Sequence, residues 1–391
     1  MTEPQPRPTS RRGRVPPFIV MEVLKAANER AAHGQEVLHL EVGEPGAGAP
    51  PSAVAAAEAA LRRGGLGYTE ALGLPALRLR IARHYGDWYG LDLDPRRVAV
   101  TAGASGAFVL AFLATFDAGD RVVVPEPGYP AYRNILRALD VEVVPLPVDA
   151  AERFQPTVER LESLEGPLHG LILASPANPT GTMLRAAELE SLAAYCTERG
   201  LRLVVDEIYH GITYENRPGT VLGVAPDAIL VNSFSKYFCM TGWRLGWLVL
   251  PEALIEPVER LAQNLFISPP TIAQHAALGA FDDQAELDRR IAGYRTNRDR
   301  LVASLRHAGL DRMAPADGAF YLYVDVGDIT PDSVAFCREL LEATGVAITP
   351  GVDFDERRGH RYVRLSFAGD PQSVATAAER IERHVGARRG G

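Results

Sequence analysis

Residues 232–246 read NSFSKYFCMTGWRLG and hold Lys236, one of only two lysines in the chain, the other being Lys25. Arginine carries nearly all the remaining positive charge. A guanidinium stays protonated at any ordinary pH, whereas a desolvated lysine can lose its proton and attack a carbonyl. The stretch continues an apolar run, AILVNS, so Lys236 stands just past the carboxyl end of a β-branched segment. That position ties the chemistry of the lysine to the fold around it.

Working outward, the runs VAVTA, RVVVP, VEVVPL, LILAS, RLVVD and AILVNS follow one another from Val98 onward. None alternates with polar residues, so both faces are buried, as in a parallel sheet. Segments such as GAFVLAFLATF and RAAELESLAAYCTERG lie between them with helical character, the second ending in glycine as a helix stop does. Strand and helix in alternation predict an α/β domain with helices on both faces. After Pro251 the pattern changes to a long helix over about 285–307, then GAFYLYVDV, a helix near 332–344, and YVRLSFA, a smaller α+β unit. The division expected is a flexible tail over 1–14, an N-terminal segment over 15–50 that packs with the small domain, a large domain over 51–284 and a small domain over 285–391.

The 391 residues are 47% hydrophobic and 23% charged, an ordinary globular balance. A net charge of -8 and a pI near 5.7 argue against a nucleic-acid footprint. Cys196, Cys239 and Cys337 are scattered, with no spacing that suggests a disulfide framework or a metal site, which fits a reducing cytoplasm. The opening residues place Ser-Arg-Arg before an apolar patch, the outline of an export signal. Glu22 and Lys25 interrupt that patch too early for a signal core or a membrane span, so no membrane association is expected.

In open α/β sheets ligands bind beyond the carboxyl ends of the strands. Gly103-Ala104-Ser105 follows VAVTA and opens a helix, where free N–H groups and a hydroxyl suit an anion such as phosphate. Tyr129 follows RVVVP, Asn178 follows LILAS, Asp206 and Tyr209 close and follow RLVV, and Ser233, Ser235 and Lys236 follow AILVN. Arg244 comes soon after, a fork suited to phosphate oxygens. Taken singly these signals are weak. Asp206 reads equally as an N-cap, Tyr129 as a core aromatic and Arg244 as a surface cation; their placement at successive strand ends raises their weight together. Ser233 to Lys236 also satisfies the S-x-x-K pattern of serine hydrolases, but that class needs S-D-N and K-T-G elements that the chain lacks. Period-two alternation in YVRLSFA puts Tyr362, Arg364 and Ser366 on one face and Val363, Leu365 and Phe367 on the other.

Taken together the residues resemble the fold-type I aminotransferases of class I/II, the group of aspartate aminotransferase, which use pyridoxal 5'-phosphate. The run SFSKYFCMTGWRLGW at 233–247 follows that family's pattern nearly letter for letter, and Gly43-Glu44-Pro45, ANPTGT at 177–182, DEIY at 206–209, GAFY at 318–321 and VRLS at 363–366 occur in its order. The resemblance implies a mostly parallel seven-stranded sheet sandwiched by helices plus a smaller α+β domain. It implies an internal aldimine on Lys236, Asp206 paired with the pyridine nitrogen, and Asn178 and Tyr209 on the phenolic oxygen, with Tyr209 counted among the catalytic residues. It also implies Tyr129 on the ring face, and Gly103, Ala104, Ser105, Ser233 and Arg244 around the phosphate. Arg364 would hold the substrate α-carboxylate with Gly43 and Asn178 nearby, and Tyr68 would reach the phosphate from a neighbouring subunit of a homodimer. No metal is implied.

The expected reaction is ping-pong transfer of an amino group from an L-amino acid to a 2-oxo acid. A carbon–sulfur β-lyase or another elimination on the same scaffold is the alternative, and a non-enzymatic regulator would need an added DNA-binding region. Phe18, in VPPFIV, is a candidate for the pocket mouth that favours apolar or aromatic side chains, with an ordinary packing role equally open. The chain departs from the family's pattern at Gly106, where a longer polar residue is common, and in GEPGAGAPP, which lacks the frequent Asp-Phe after Gly-Glu-Pro.

Overall fold

In the computed structural model, which describes residues 9–390, the six apolar runs and Gly246–Val249 form one seven-stranded sheet. Its spatial order is Val98–Thr101, Gly246–Val249, Ile229–Ser233, Arg202–Asp206, Gly170–Ala174, Arg121–Glu126 and Glu142–Pro147. Neighbours are parallel except for the two pairs made by Gly246–Val249. The segment joining Ile229–Ser233 to that strand holds only the 3-10 turn Thr241–Trp243. Without a crossover helix the chain returns antiparallel.

Side chains alternate between two apolar layers, as a period of two requires. Leu171, Leu173, Val205 and Leu230 enter one layer, and Ile172, Val204, Ile229 and Val231 the other. Helix Gly103–Thr115 is apolar nearly all round because it is enclosed, packing on Ile229–Ser233 and Gly246–Val249 below and on helices Glu252–Leu265 and Pro130–Ala138 beside it. Phe108, Phe112 and Phe116 form a ladder along it, with ring centroids 5.7 Å and 6.1 Å apart.

The smaller unit is an antiparallel sheet in the order Thr349–Pro350, Tyr362–Ser366, Tyr321–Asp325. Helices Ser333–Thr344 and Pro371–Gly390 pack with each other, and the long helix Gln284–His307 lies along the second of them. The N-terminal segment joins this unit: Leu38–His39 pairs in parallel with Val346–Ala347, and Ser366 N–H donates to the Leu40 carbonyl at 2.7 Å. Of the expected free tail, residues 1–8 lie outside the described residues. Residues 11–13 form a 3-10 turn whose Arg11 bonds Asp140 at 2.6 Å, an exposed cation meeting a carboxylate just past the helix Pro130–Ala138.

Phe112 is fully buried between helix and sheet. Phe112→Ala is expected to cost about 3–5 kcal/mol of stability, read from urea unfolding followed by far-UV circular dichroism. A loss below about 1 kcal/mol would contradict the enclosure of this helix.

Candidate active site

Parallel strands deliver their carboxyl ends to one edge of the large sheet. The antiparallel strand Gly246–Val249 brings its amino end to that same edge, so Arg244, just before it, faces the loops after the others. A cavity of about 390 Å³ opens there, within the range of small-molecule sites. Ala104, Ser105, Tyr129, Asn178, Asp206, Tyr209, Lys236 and Arg244 line it from the large domain, Gly43 from the N-terminal segment and Arg364 from the small sheet.

Three of the expected residues lie outside the lining. Gly103 sits directly behind Arg244: a Cβ there would come within 2.5 Å of the guanidinium, and its φ of +73° is one that side chains resist. Ser233 is buried one layer back, its Oγ donating to the Leu245 carbonyl at 2.9 Å and lying 2.9 Å from Ser235 Oγ, and Ser235 is the serine that faces the cavity. The Ser233 hydroxyl, at the end of its strand, is drawn to the backbone of the adjacent antiparallel strand and reaches the cavity wall only through Ser235. Tyr68 is 83% exposed on a loop away from its own cavity.

Lys236 donates from Nζ to the Gly43 carbonyl. Burial, followed by the nearby Arg364 and Arg244 cations, lowers its pKa to about 8. Asp206 ends its strand fully buried, and burial raises its pKa to about 6 against two bonds that favour the carboxylate. Tyr132 Oη donates to Oδ2 at 2.5 Å and Ile208 N–H to Oδ1 at 3.0 Å. A buried carboxylate held this way favours a cationic partner arriving from the cavity.

Arg364 is buried, with Nη1 donating to Asn178 Oδ1 at 3.0 Å and Nη2 to the Glu41 carbonyl at 2.5 Å. Its guanidinium lies between the rings of Tyr321 and Phe354, 4.5 Å and 4.7 Å from their centroids. These oxygens are neutral, and Nε has no hydrogen-bond partner among the described residues. A buried fork left in that state is suited to a carboxylate. Tyr209 Oη bonds Tyr321 Oη at 2.8 Å. A Cβ on Gly43 would fall 2.0 Å from that same Tyr321 oxygen, so only glycine lets the N-terminal segment come this close.

A second feature suited to an anion lines the same cavity. Helix Gly103–Thr115 starts after Ala102, which has no capping side chain, so its first N–H groups are uncapped. The Arg244 guanidinium lies over that start, bonded to the Thr241 carbonyl at 3.0 Å. Among the described residues no group of three or more His, Cys, Asp or Glu is placed to hold a metal.

Sequence reading leaves Tyr132, Tyr321 and Phe354 without a role. Tyr132 is within reach of inference, since Tyr129 and Tyr132 are three apart at the start of helix Pro130–Ala138 and share a face. Tyr321 lies inside the GAFY motif, whereas Phe354 carries no local signal. At the mouth, Phe18 lines the cavity with Val20 and Met21 and packs on Tyr129 at 5.9 Å between centroids.

Residues 35–381 match the family described as aminotransferase class I and II. A valine–pyruvate aminotransferase of Mycobacterium tuberculosis is 50% identical over 374 residues, covering 95% of this chain and 96% of its own length. The crystal structure of an aminotransferase from Mycobacterium tuberculosis superposes with a TM-score of 0.96 at 48% identity, covering 98% of this chain and 100% of that one. Aspartate aminotransferase from Thermus thermophilus with maleate superposes at 0.91 with 34% identity, covering 96% and 99%.

Only the unprotonated amine of a lysine attacks an aldehyde. Reductive methylation of Lys236 in the cofactor-free protein, followed by mass spectrometry, is expected to quicken about tenfold per pH unit and level off near pH 8. Arg364→Met removes a neighbouring cation and moves that midpoint upward. A rate still climbing at pH 10 in the unaltered chain would contradict the environment described.

Proposed function

Because this chain belongs to the aminotransferase class I and II family, we propose that it moves the amino group of an amino acid with an apolar side chain to a 2-oxo acid. Pyridoxal 5'-phosphate would be held around Lys236. The observation that carries this reading is a single cavity lined by a lysine of lowered pKa, a buried carboxylate and two arginines, one of them beside an uncapped helix start. The 50% identical valine–pyruvate aminotransferase supports an aliphatic donor with pyruvate as acceptor.

The residues present fit the cofactor. The uncapped start of helix Gly103–Thr115 under Arg244 suits a phosphate, and the space above Gly103 is too close to the guanidinium for any Cβ. Asp206 is buried with a pKa raised toward 6, as suits a carboxylate waiting for a protonated ring nitrogen. When bound, pyridoxal 5'-phosphate supplies an aldehyde that condenses with amines and a ring that takes up the electron pair left at the α-carbon.

The chain's own groups do the remaining work. Arg364 binds the α-carboxylate with the fork that now meets only neutral oxygens. Asn178, whose Oδ1 accepts from Arg364, keeps its amide N–H groups for the ring's phenolic oxygen, beside the Tyr209 hydroxyl. Tyr129, in the cavity lining, would cover the ring face. Lys236 Nζ, its pKa lowered to about 8 so that a fraction is unprotonated at physiological pH, is the base that would take the proton from the α-carbon and pass it to the cofactor. Phe18, Val20 and Met21 offer the substrate side chain an apolar wall.

A homodimer is part of the same reading. Leu61, Tyr68, Leu265 and Ile267 are 60%, 83%, 50% and 51% exposed. The loops bearing Tyr68 and Ile267 are joined by the Thr69 N–H to Ser268 and Thr271 to Gly67 bonds. An apolar patch of this kind suits a second copy, whose phosphate site would receive Tyr68. We further place the enzyme in the cytoplasm, a reading supported by cysteines that are buried and unpaired.

Lys236→Ala should lower turnover by at least about 10²–10⁴-fold and prevent borohydride from fixing the cofactor to the protein, as seen by mass spectrometry. Normal turnover in that variant would sink the assignment. Mixing Lys236→Ala subunits with Tyr68→Ala subunits should restore activity to two impaired proteins, since each mixed dimer holds one site with both residues intact. Activity no higher than the sum of the parents would show that Tyr68 does not serve a neighbouring site.

A further inference from the structure

Helix Ile19–Ala32 begins Phe18-Ile19-Val20-Met21, and Phe18 at its N-cap position makes no capping bond. The first N–H groups of a helix need an acceptor. Here it comes from the far end of the chain: Asp353 Oδ1 accepts from Ile19 N–H and Oδ2 from Val20 N–H, each at 3.2 Å. A buried carboxylate at that end also meets the favourable pole of the helix dipole.

Asp353 ends the 3-10 turn Gly351–Asp353, and this turn and the next residue are tied to the rest of the site. Phe354 is the ring stacked on Arg364, and its carbonyl accepts from Gly128 N–H at 3.0 Å. The Asp353 carbonyl accepts from Arg133 at 2.7 Å, and Arg133 belongs to the helix that opens beside Tyr129. One short turn therefore holds the carboxylate fork, the ring-covering loop and the start of the first helix in fixed relation. The first helix, in turn, carries Phe18, Val20 and Met21 into the cavity.

We propose that Asp353 is a positioning residue for side-chain selection: by capping helix Ile19–Ala32 it fixes Phe18, Val20 and Met21 at a set distance from Arg364, so that large apolar side chains are preferred. The proposal rests on the transamination reading above, because the wall matters only if Arg364 holds the α-carboxylate.

The test uses the holoenzyme and the variants Asp353→Ala and Asp353→Asn. Hydrogen exchange at the Ile19 and Val20 amides should quicken about fivefold to tenfold in Asp353→Ala, as expected for a lost cap. Asp353→Asn, which keeps one oxygen acceptor, should show a smaller rise, with exchange in the large sheet unchanged in both. In Asp353→Ala, kcat/KM should fall about tenfold for valine and leucine but less than about twofold for alanine, which barely reaches the wall.

Unchanged amide exchange would overturn the cap, and an equal loss for all three donors would overturn its role in selection. Wild-type enzyme inert toward every donor would overturn the transamination reading and the selection role with it, while the exchange measurement reads the cap independently.

Discussion

Strand direction is the constraint on which the functional geometry depends. The parallel strands of the large sheet deliver Asn178, Asp206, Tyr209 and Lys236 to one edge, and the single reversed strand adds Arg244 from its amino end. Were Gly246–Val249 parallel to its neighbours, Arg244 would stand at the opposite edge, remote from Gly103. The short, helix-free connection after Lys236 forces the reversal. The lysine and Arg244 are thus brought together by one local feature of the chain.

Charge imbalance inside the cavity arises from that placement. Lys236, Arg244 and Arg364 face a space in which Asp206 is the buried carboxylate and Glu44 the exposed one, three cations against two anions. Burial and the neighbouring cations lower the lysine toward neutrality, and burial raises the aspartate. The arginines cannot relieve the excess by losing protons, so they bond neutral oxygens and stack on rings while remaining receptive to anions. A ligand with two separated anionic ends and a central protonated nitrogen relieves all of it at once.

The small domain and the N-terminal segment complete the site through contacts between residues far apart in the chain. Gly43 brings its carbonyl to Lys236 because it has no Cβ to collide with Tyr321. Arg364 reaches across to Asn178, which couples the small sheet to a loop of the large one. Asp353 closes the ring of contacts by capping a helix that cannot cap itself. The site is accordingly shared among three segments, each held by the other two.

Much of this was legible in the residues alone. Unalternating apolar runs announced a parallel sheet, and the polar residues just past each run announced the site edge, because strand ends are local features with a simple directional consequence. Lys236 was legible because a rare residue type sat at such an end. Alternation in YVRLSFA separated Arg364 from Val363 and Leu365, but it could not show that the side of Arg364 is also buried, under Phe354 and Tyr321. The same limit explains Ser233 and Ser235, two candidates two residues apart: which one faces the cavity depends on the Leu245 carbonyl of the returning strand. Residue types and their order along the chain determined the sheet, the edge where the cavity opens and most of the polar groups that line it, since these depend on period and direction. Only the tertiary structure decided how those groups are buried, paired and aimed, because Tyr132, Phe354 and Asp353 act through contacts that sequence spacing does not encode.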